Sequence, residues 1–200
     1  MRQLALPISA PPEPTLDNFV PGSNAELLAR LRELATGRLA ESVIYLWGEA
    51  GSGRSHLLRA SVRPGLSVAD DVERLDEGAQ VALFNAINHA REAGTSVLAA
   101  GNAPPAQLAL REDLRSRLGW GLVYQVKPLT DAEKAMFLHA EATRRGLKLT
   151  DEVVWYLLTH VRRDMPSLGV ILEHLDRTSL EQRRPVTLPL VREALRSLES

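Results

Sequence analysis

The chain has 200 residues and a mass of 22.0 kDa, room for one full domain or for one domain with a smaller companion. With 44% hydrophobic and 24% charged residues it can bury a core, which excludes wholesale disorder; with aromatics at only 4% that core has to be built from Leu, Val, Ile and Ala. A formal charge of -1 gives no basic excess for holding DNA by bulk electrostatics, and the lack of cysteine excludes disulfide scaffolds, thiolate metal sites and thiol catalysis. No apolar run approaches the roughly 18 residues that span a bilayer, and no apolar stretch follows Arg2 as in a secretory signal. A cytoplasmic protein without membrane contact is expected.

Five of the twelve prolines (Pro7, Pro11, Pro12, Pro14, Pro21) fall in the first 21 residues, so residues 1–21 read as an extended arm. Within it, Gln3-Leu4-Ala5-Leu6-Pro7 sets two leucines on alternate positions between a polar residue and a proline. Asn24 reads as the N-cap of a helix carrying Leu27, Leu28, Leu31 and Leu34 and closed by Gly37. Residues 42–47 form a β-branched and aromatic run, a buried strand, and a helix follows from Arg54. A turn at Pro64-Gly65 leads into a short strand over 66–69 that ends in Asp70-Asp71, and residues 79–93 predict a helix stopped by Gly94. A third strand over 95–100 ends at Gly101-Asn102; a polar, Arg-rich helix is predicted over 108–118 and a fourth strand over 122–126.

Strands alternating with helices argue for a parallel sheet covered on both faces. After Pro128 four apolar-periodic segments, 131–145, 151–162, 167–182 and 188–198, all read as helix, separated by Gly146, Pro166 and Pro185. The expected organisation is an arm over 1–21, an α/β domain over 22–127 and a helical domain over 128–200.

Between the first strand and its helix, Gly48-Glu49-Ala50-Gly51-Ser52-Gly53-Arg54-Ser55 fits G-x-x-x-x-G-[basic]-[ST]. Such a loop aims backbone N–H groups at phosphate oxygens, which needs Gly48, Gly51 and Gly53 free of side chains, and the helix start behind it favours anions. Ser55 is the hydroxyl expected to face Mg²⁺. Arg54 replaces the usual Lys, and a planar fork is not equivalent to a compact ammonium between two phosphates. Asp70-Asp71 after a hydrophobic strand supports this reading: Asp70 would reach Mg²⁺ and Asp71 would orient water. Two adjacent acids also suit a helix N-cap. The histidines His56, His89, His139, His160 and His174 are scattered, so no dedicated metal site is expected.

The loop, the acidic strand end and above all Ser116-Arg117-Leu118-Gly119-Trp120-Gly121-Leu122 resemble the AAA+ module of the DnaA family of bacterial replication initiators. The pentapeptide over residues 3–7 resembles the peptide that docks on the replicative sliding clamp, and a DnaA-like module behind it resembles the Hda branch of that family. The likeness covers essentially the whole chain. It implies an α/β AAA+ phosphate-loop sheet and a small helical lid. DnaA continues into a C-terminal DNA-binding domain, for which this sequence offers no counterpart.

The resemblance further implies a negative regulator of replication initiation, tethered to the β clamp of DNA polymerase III through Gln3, Leu4, Leu6 and Pro7. It would promote hydrolysis of ATP held by DnaA and reach DNA only indirectly. Arg117 aligns with the arginine finger that acts on a neighbour's γ-phosphate, and Asn102 with the polar sensor of that phosphate. Two departures accompany it. Only fourteen residues lie between Ser55 and Asp70, which implies four strands with one strand–helix unit fewer, and Pro166 stands where the lid's sensor arginine belongs, with Arg162 and Arg163 out of register. Together with Arg54 they imply weak ADP binding, Mg²⁺ only with nucleotide, and little turnover by the chain itself. A homodimer linked to ADP is a further expectation. The alternative is an autonomous AAA+ ATPase of the helicase-loader type using Asp71 and Asn102 on its own nucleotide. Simpler roles also stand: Arg117 pairing with Glu112 or Asp113, Asn102 capping its loop, and the arm as an unbound tail.

Overall fold

The computed structural model describes residues 13–162 and 164–197, so Gln3, Leu4, Leu6, Pro7 and Arg163 lie outside the described residues. These residues form two compact units, 13–128 and the chain from Leu129 onward. The first contains four strands, β1 (Val43–Trp47), β2 (Leu66–Ala69), β3 (Ser96–Gly101) and β4 (Leu122–Gln125). All pairings are parallel and the order is β2-β3-β1-β4, the four-stranded sheet expected above. Between and before the strands run α1 (Ala25–Ala35), α2 (Arg54–Ser61), α3 (Glu77–Ala93) and α4 (Glu112–Leu118).

The central strands are apolar throughout because both faces are covered, and their side chains alternate between two cores. Val43 and Tyr45 of β1 and Val97 and Ala99 of β3 pack with Leu83 and Ile87 of α3 and Leu114 and Leu118 of α4. Ile44 and Leu46, with Leu98 and Ala100, face the leucines of α1 and Leu57 and Leu58 of α2.

Three local expectations are corrected. Asn24 does not cap α1 through its side chain. It is 4% exposed; its amide nitrogen donates to Lys127 O at 2.8 Å and its oxygen accepts from Lys127 N at 2.8 Å, so it completes a distant backbone segment as a peptide group would. The helix expected from 108 starts only at Glu112: Leu108 is extended, Arg111 is non-helical, and Arg111 N is taken by Gln80 Oε1 at 3.0 Å. Pro166 does not separate helices. It lies in the first turn of the helix that begins at Met165, where a missing N–H costs no hydrogen bond.

The second unit is α5 (Asp131–Arg144), α6 (Asp151–His160), α7 (Met165–Gln182) and α8 (Leu188–Ser197). Their starts are fixed by side-chain caps from Thr130, Thr150 and Asp164 for α5, α6 and α7, the first a full capping box with Glu133. Two apolar clusters fill this unit, one around Leu157, Ile171, Leu175 and Leu190 and one around Leu138, Leu158, Leu168 and Leu172. Among the described residues no helix is long and apolar enough to cross a membrane.

Candidate phosphate site and arginine

In a parallel sheet the loops that follow the strands share one end, the usual place for a ligand in α/β folds. Here that end carries the loop 48–53 after β1, Asp70-Asp71 after β2 and Asn102 after β3. The loop's backbone explains its glycines. Gly51 and Gly53 have φ of 82° and 100°, and a Cβ on Gly48 would collide with Val126 O, where the chain continues from β4 beside β1. Gly53 is the N-cap of α2, so Arg54 and Ser55 open the helix.

Two polar atoms in this loop have no hydrogen-bond partner. Ser52 is 6% exposed with its Oγ unpaired, and the Nη1 of Arg54 is buried and unpaired too. A buried hydroxyl and guanidinium nitrogen left open cost stability unless an acceptor arrives. A phosphate oxygen is such an acceptor for both, and with the helix N-terminus behind them these residues fit a phosphate group.

Asp71 is in the left-handed region at φ 45° and its carboxylate lies 3.7 Å from Arg74, while Asp70 Oδ1 accepts the N–H of Asp71. Neither caps a helix through its side chain to the turn that follows; α3 is capped by Asp76. The carboxylate that reaches the strand end is that of Glu73, whose Oε2 accepts the N–H of Asn102 at 3.3 Å. Tyr45 stands beside it, donating to Ala103 O at 2.8 Å, and Gly101 is bare because a Cβ there would meet Tyr45 Oη and crowd Glu73. Burial, reinforced by the Glu73 charge and opposed by Arg54, holds the Tyr45 phenol above its ordinary range, so it stays protonated and donates. Glu73, Tyr45 and Ser52 are polar groups at this end that motif spacing does not single out.

Arg117 is not brought to this end. Trp120 and Gly121 lead into β4 beside Val43, where a Cβ on Gly121 would collide with Val43 O, whereas the phosphate loop leaves β1 after Trp47. The five residues of β1 separate the two places by roughly 16 Å. Arg117 does not pair with Asp113 either, whose carboxylate is 2.7 Å from Arg111. Its Cζ lies 3.6 Å from the centroid of the Trp120 ring and 5.4 Å from that of Phe84.

Residues 131–195 match the family model described as Hda, lid domain. Domain III of the replication initiation protein DnaA from Thermotoga maritima has a similar fold, with a TM-score of 0.68 at 19% identity over 97% of this chain and 99% of that one. AMPPCP-bound DnaA from Aquifex aeolicus gives 0.69 at 19% identity, over 93% of this chain and 70% of that one. A RuvB variant from Thermotoga maritima gives 0.61 at 15% identity, over 92% and 72%. At these identities the likeness is one of fold, a fold shared with DnaA domain III and RuvB.

Proposed function

We propose that this Hda/DnaA-like AAA+ protein is a regulator that acts on ATP held by DnaA, supplying Arg117 in trans and so inhibiting initiation of DNA replication. The observation that carries this reading is the place of Arg117: a full strand length from the chain's own phosphate loop, with a guanidinium stacked on rings rather than paired with an acid. A guanidinium there serves a nucleotide on another molecule, where it would stabilise charge building on the γ-phosphate. The chain's own loop would hold ADP: the Ser52 hydroxyl, the Arg54 guanidinium and the start of α2 would meet the phosphates, with Ser55 and Asp70 toward any Mg²⁺ that accompanies the nucleotide. The arm's Gln3, Leu4, Leu6 and Pro7 would dock in an apolar groove of the DNA polymerase III sliding clamp, and the clamp, in the cytoplasm, would bring the protein to DNA.

The alternative, an ATPase that consumes its own nucleotide through Asp71 and Asn102, is less well supported. The Asp71 carboxylate lies 3.7 Å from Arg74, which draws it toward a cation rather than leaving it to orient water. One experiment separates the two. Hydrolysis of DnaA-bound ATP is followed with DNA-loaded clamp and either wild type, Arg117→Ala or Leu4→Ala. Stimulation by wild type is expected, falling by at least about 100-fold in Arg117→Ala. Leu4→Ala should recover activity when its concentration is raised, because only the tether is lost. Steady phosphate release by the protein alone, without stimulation of DnaA, would establish the alternative instead.

A further inference from the structure

We infer that Trp120 is a positioning residue for Arg117, presenting its guanidinium face-on to the ring so that its N–H edge stays open to a partner's phosphate. The inference rests on the reading that Arg117 acts in trans. At 3.6 Å from ring centroid to Cζ the contact is a close stack, and Phe84 at 5.4 Å gives the cation a second aromatic neighbour. The five N–H donors of a guanidinium lie in its plane, so stacking through a face fixes orientation without spending any of them. A carboxylate partner would do the opposite, taking two donors and neutralising the charge.

The ring is itself held by the fold. Trp120 N donates to Arg117 O at 3.2 Å, which closes one turn and returns the indole to the arginine three residues earlier. The residue after it, Gly121, touches the start of β1 so closely that no side chain fits, so strand pairing fixes where Trp120 leaves the chain. Trp120 nevertheless stays 54% exposed, which keeps the stack at the surface where a neighbouring molecule can meet it.

A second cation marks the kind of ligand. Arg91 Cζ lies 5.3 Å from the same ring, and neither Arg91 nor Arg117 has an ion-pair partner among the described residues. Two unneutralised guanidinium groups around one indole repel each other, an arrangement suited to an arriving polyanion such as a nucleoside triphosphate.

The test uses the full chain, DnaA–ATP and DNA-loaded clamp, with the protein titrated so that maximal rate and half-saturating concentration are read separately. Trp120→Leu should lower the maximal rate 10- to 100-fold, the scale of a small misplacement of a catalytic group. Its half-saturating concentration should stay within about twofold of wild type, and Trp120→Phe, which keeps a flat ring, should recover most of the rate. Independently of activity, Arg117→Met should change the intrinsic fluorescence of the protein alone, and that change should vanish in a Trp120→Phe background. A Trp120→Leu variant with the wild-type maximal rate, one that shifts only half-saturation, or an Arg117→Met fluorescence equal to wild type would each overturn the inference. Full stimulation by Arg117→Ala would overturn the underlying reading instead, and the fluorescence pair would still decide the stack.

Discussion

Gly53 carries two constraints: a φ of 100°, and a Phe19 ring carbon 2.8 Å from where its Cβ would stand. Gly51 carries only the first, with a φ of 82° and open space around it. Urea unfolding should therefore show Gly51→Ala losing about 1 kcal/mol from backbone strain. Gly53→Ala should lose more, because the Phe19 ring, packed near His56 at 5.5 Å, has to move as well; equal losses would show that Phe19 adds no constraint. Tyr45→Phe removes a buried hydroxyl and leaves Ala103 O unpaired, which should cost about 1–2 kcal/mol in the same assay. The glycines of the loop are legible in the sequence because their spacing is the motif. Tyr45 and Glu73 are not, since what matters about them is a partner 58 residues away in one case and 29 in the other. Asn24 is the converse: an Asn before a leucine-rich helix looks like a cap, and nothing local reveals that its amide is spent on Lys127, 103 residues on.

At the level of elements, hydrophobic period and capping residues made most helices and all four strands readable in advance. Segment ends were less so: Pro166 has the same appearance whether it ends a helix or opens one, and Leu108 and Leu110 are buried from a bent, non-helical segment. The cap of α5 gives a direct check. Thr130→Ala removes the acceptor for Glu133 N and one of two donors to the Glu133 carboxylate, and should cost about 1 kcal/mol of thermal stability. Further along α5, Arg144, with Arg145 beside it, holds the Glu141 carboxyl below its ordinary value, at N–O distances of 2.6 and 2.8 Å. A carboxylate whose folded pKa is depressed stabilises fully above its unfolded value, near 4.3, and loses that contribution as pH falls through the folded value. Glu141→Gln should thus be less stable than wild type at neutral pH and converge with it in acid. A gap that persists at pH 2 would assign the loss to packing rather than charge.

Across the whole molecule, alternation of strand and helix pointed to a parallel sheet, but the order β2-β3-β1-β4 is invisible to periodicity, because each strand looks equally apolar whichever neighbours it has. The short interval between Ser55 and Asp70 was the one length that signalled a reduced sheet. The near-neutral charge has its own test: at about 0.15 M salt the protein alone should bind bare duplex DNA no more tightly than nonspecific proteins, with a Kd above roughly 1 μM by fluorescence anisotropy. A nanomolar Kd would show that it needs no intermediary on DNA. The sheet order also sets a timetable for synthesis. Val43 pairs with Val97 at the centre, so β1 has no central neighbour until 54 more residues have been made. At translation rates of about 5–20 residues per second that interval lasts roughly 3–10 s. For that time Ile44 and Leu46 have α1 and α2 to shelter them, whereas Val43 and Tyr45, equally buried in the finished sheet, wait for α3 and α4 on the other face. The nascent chain is most exposed to misassociation and chaperone capture between the emergence of β1 and that of β3.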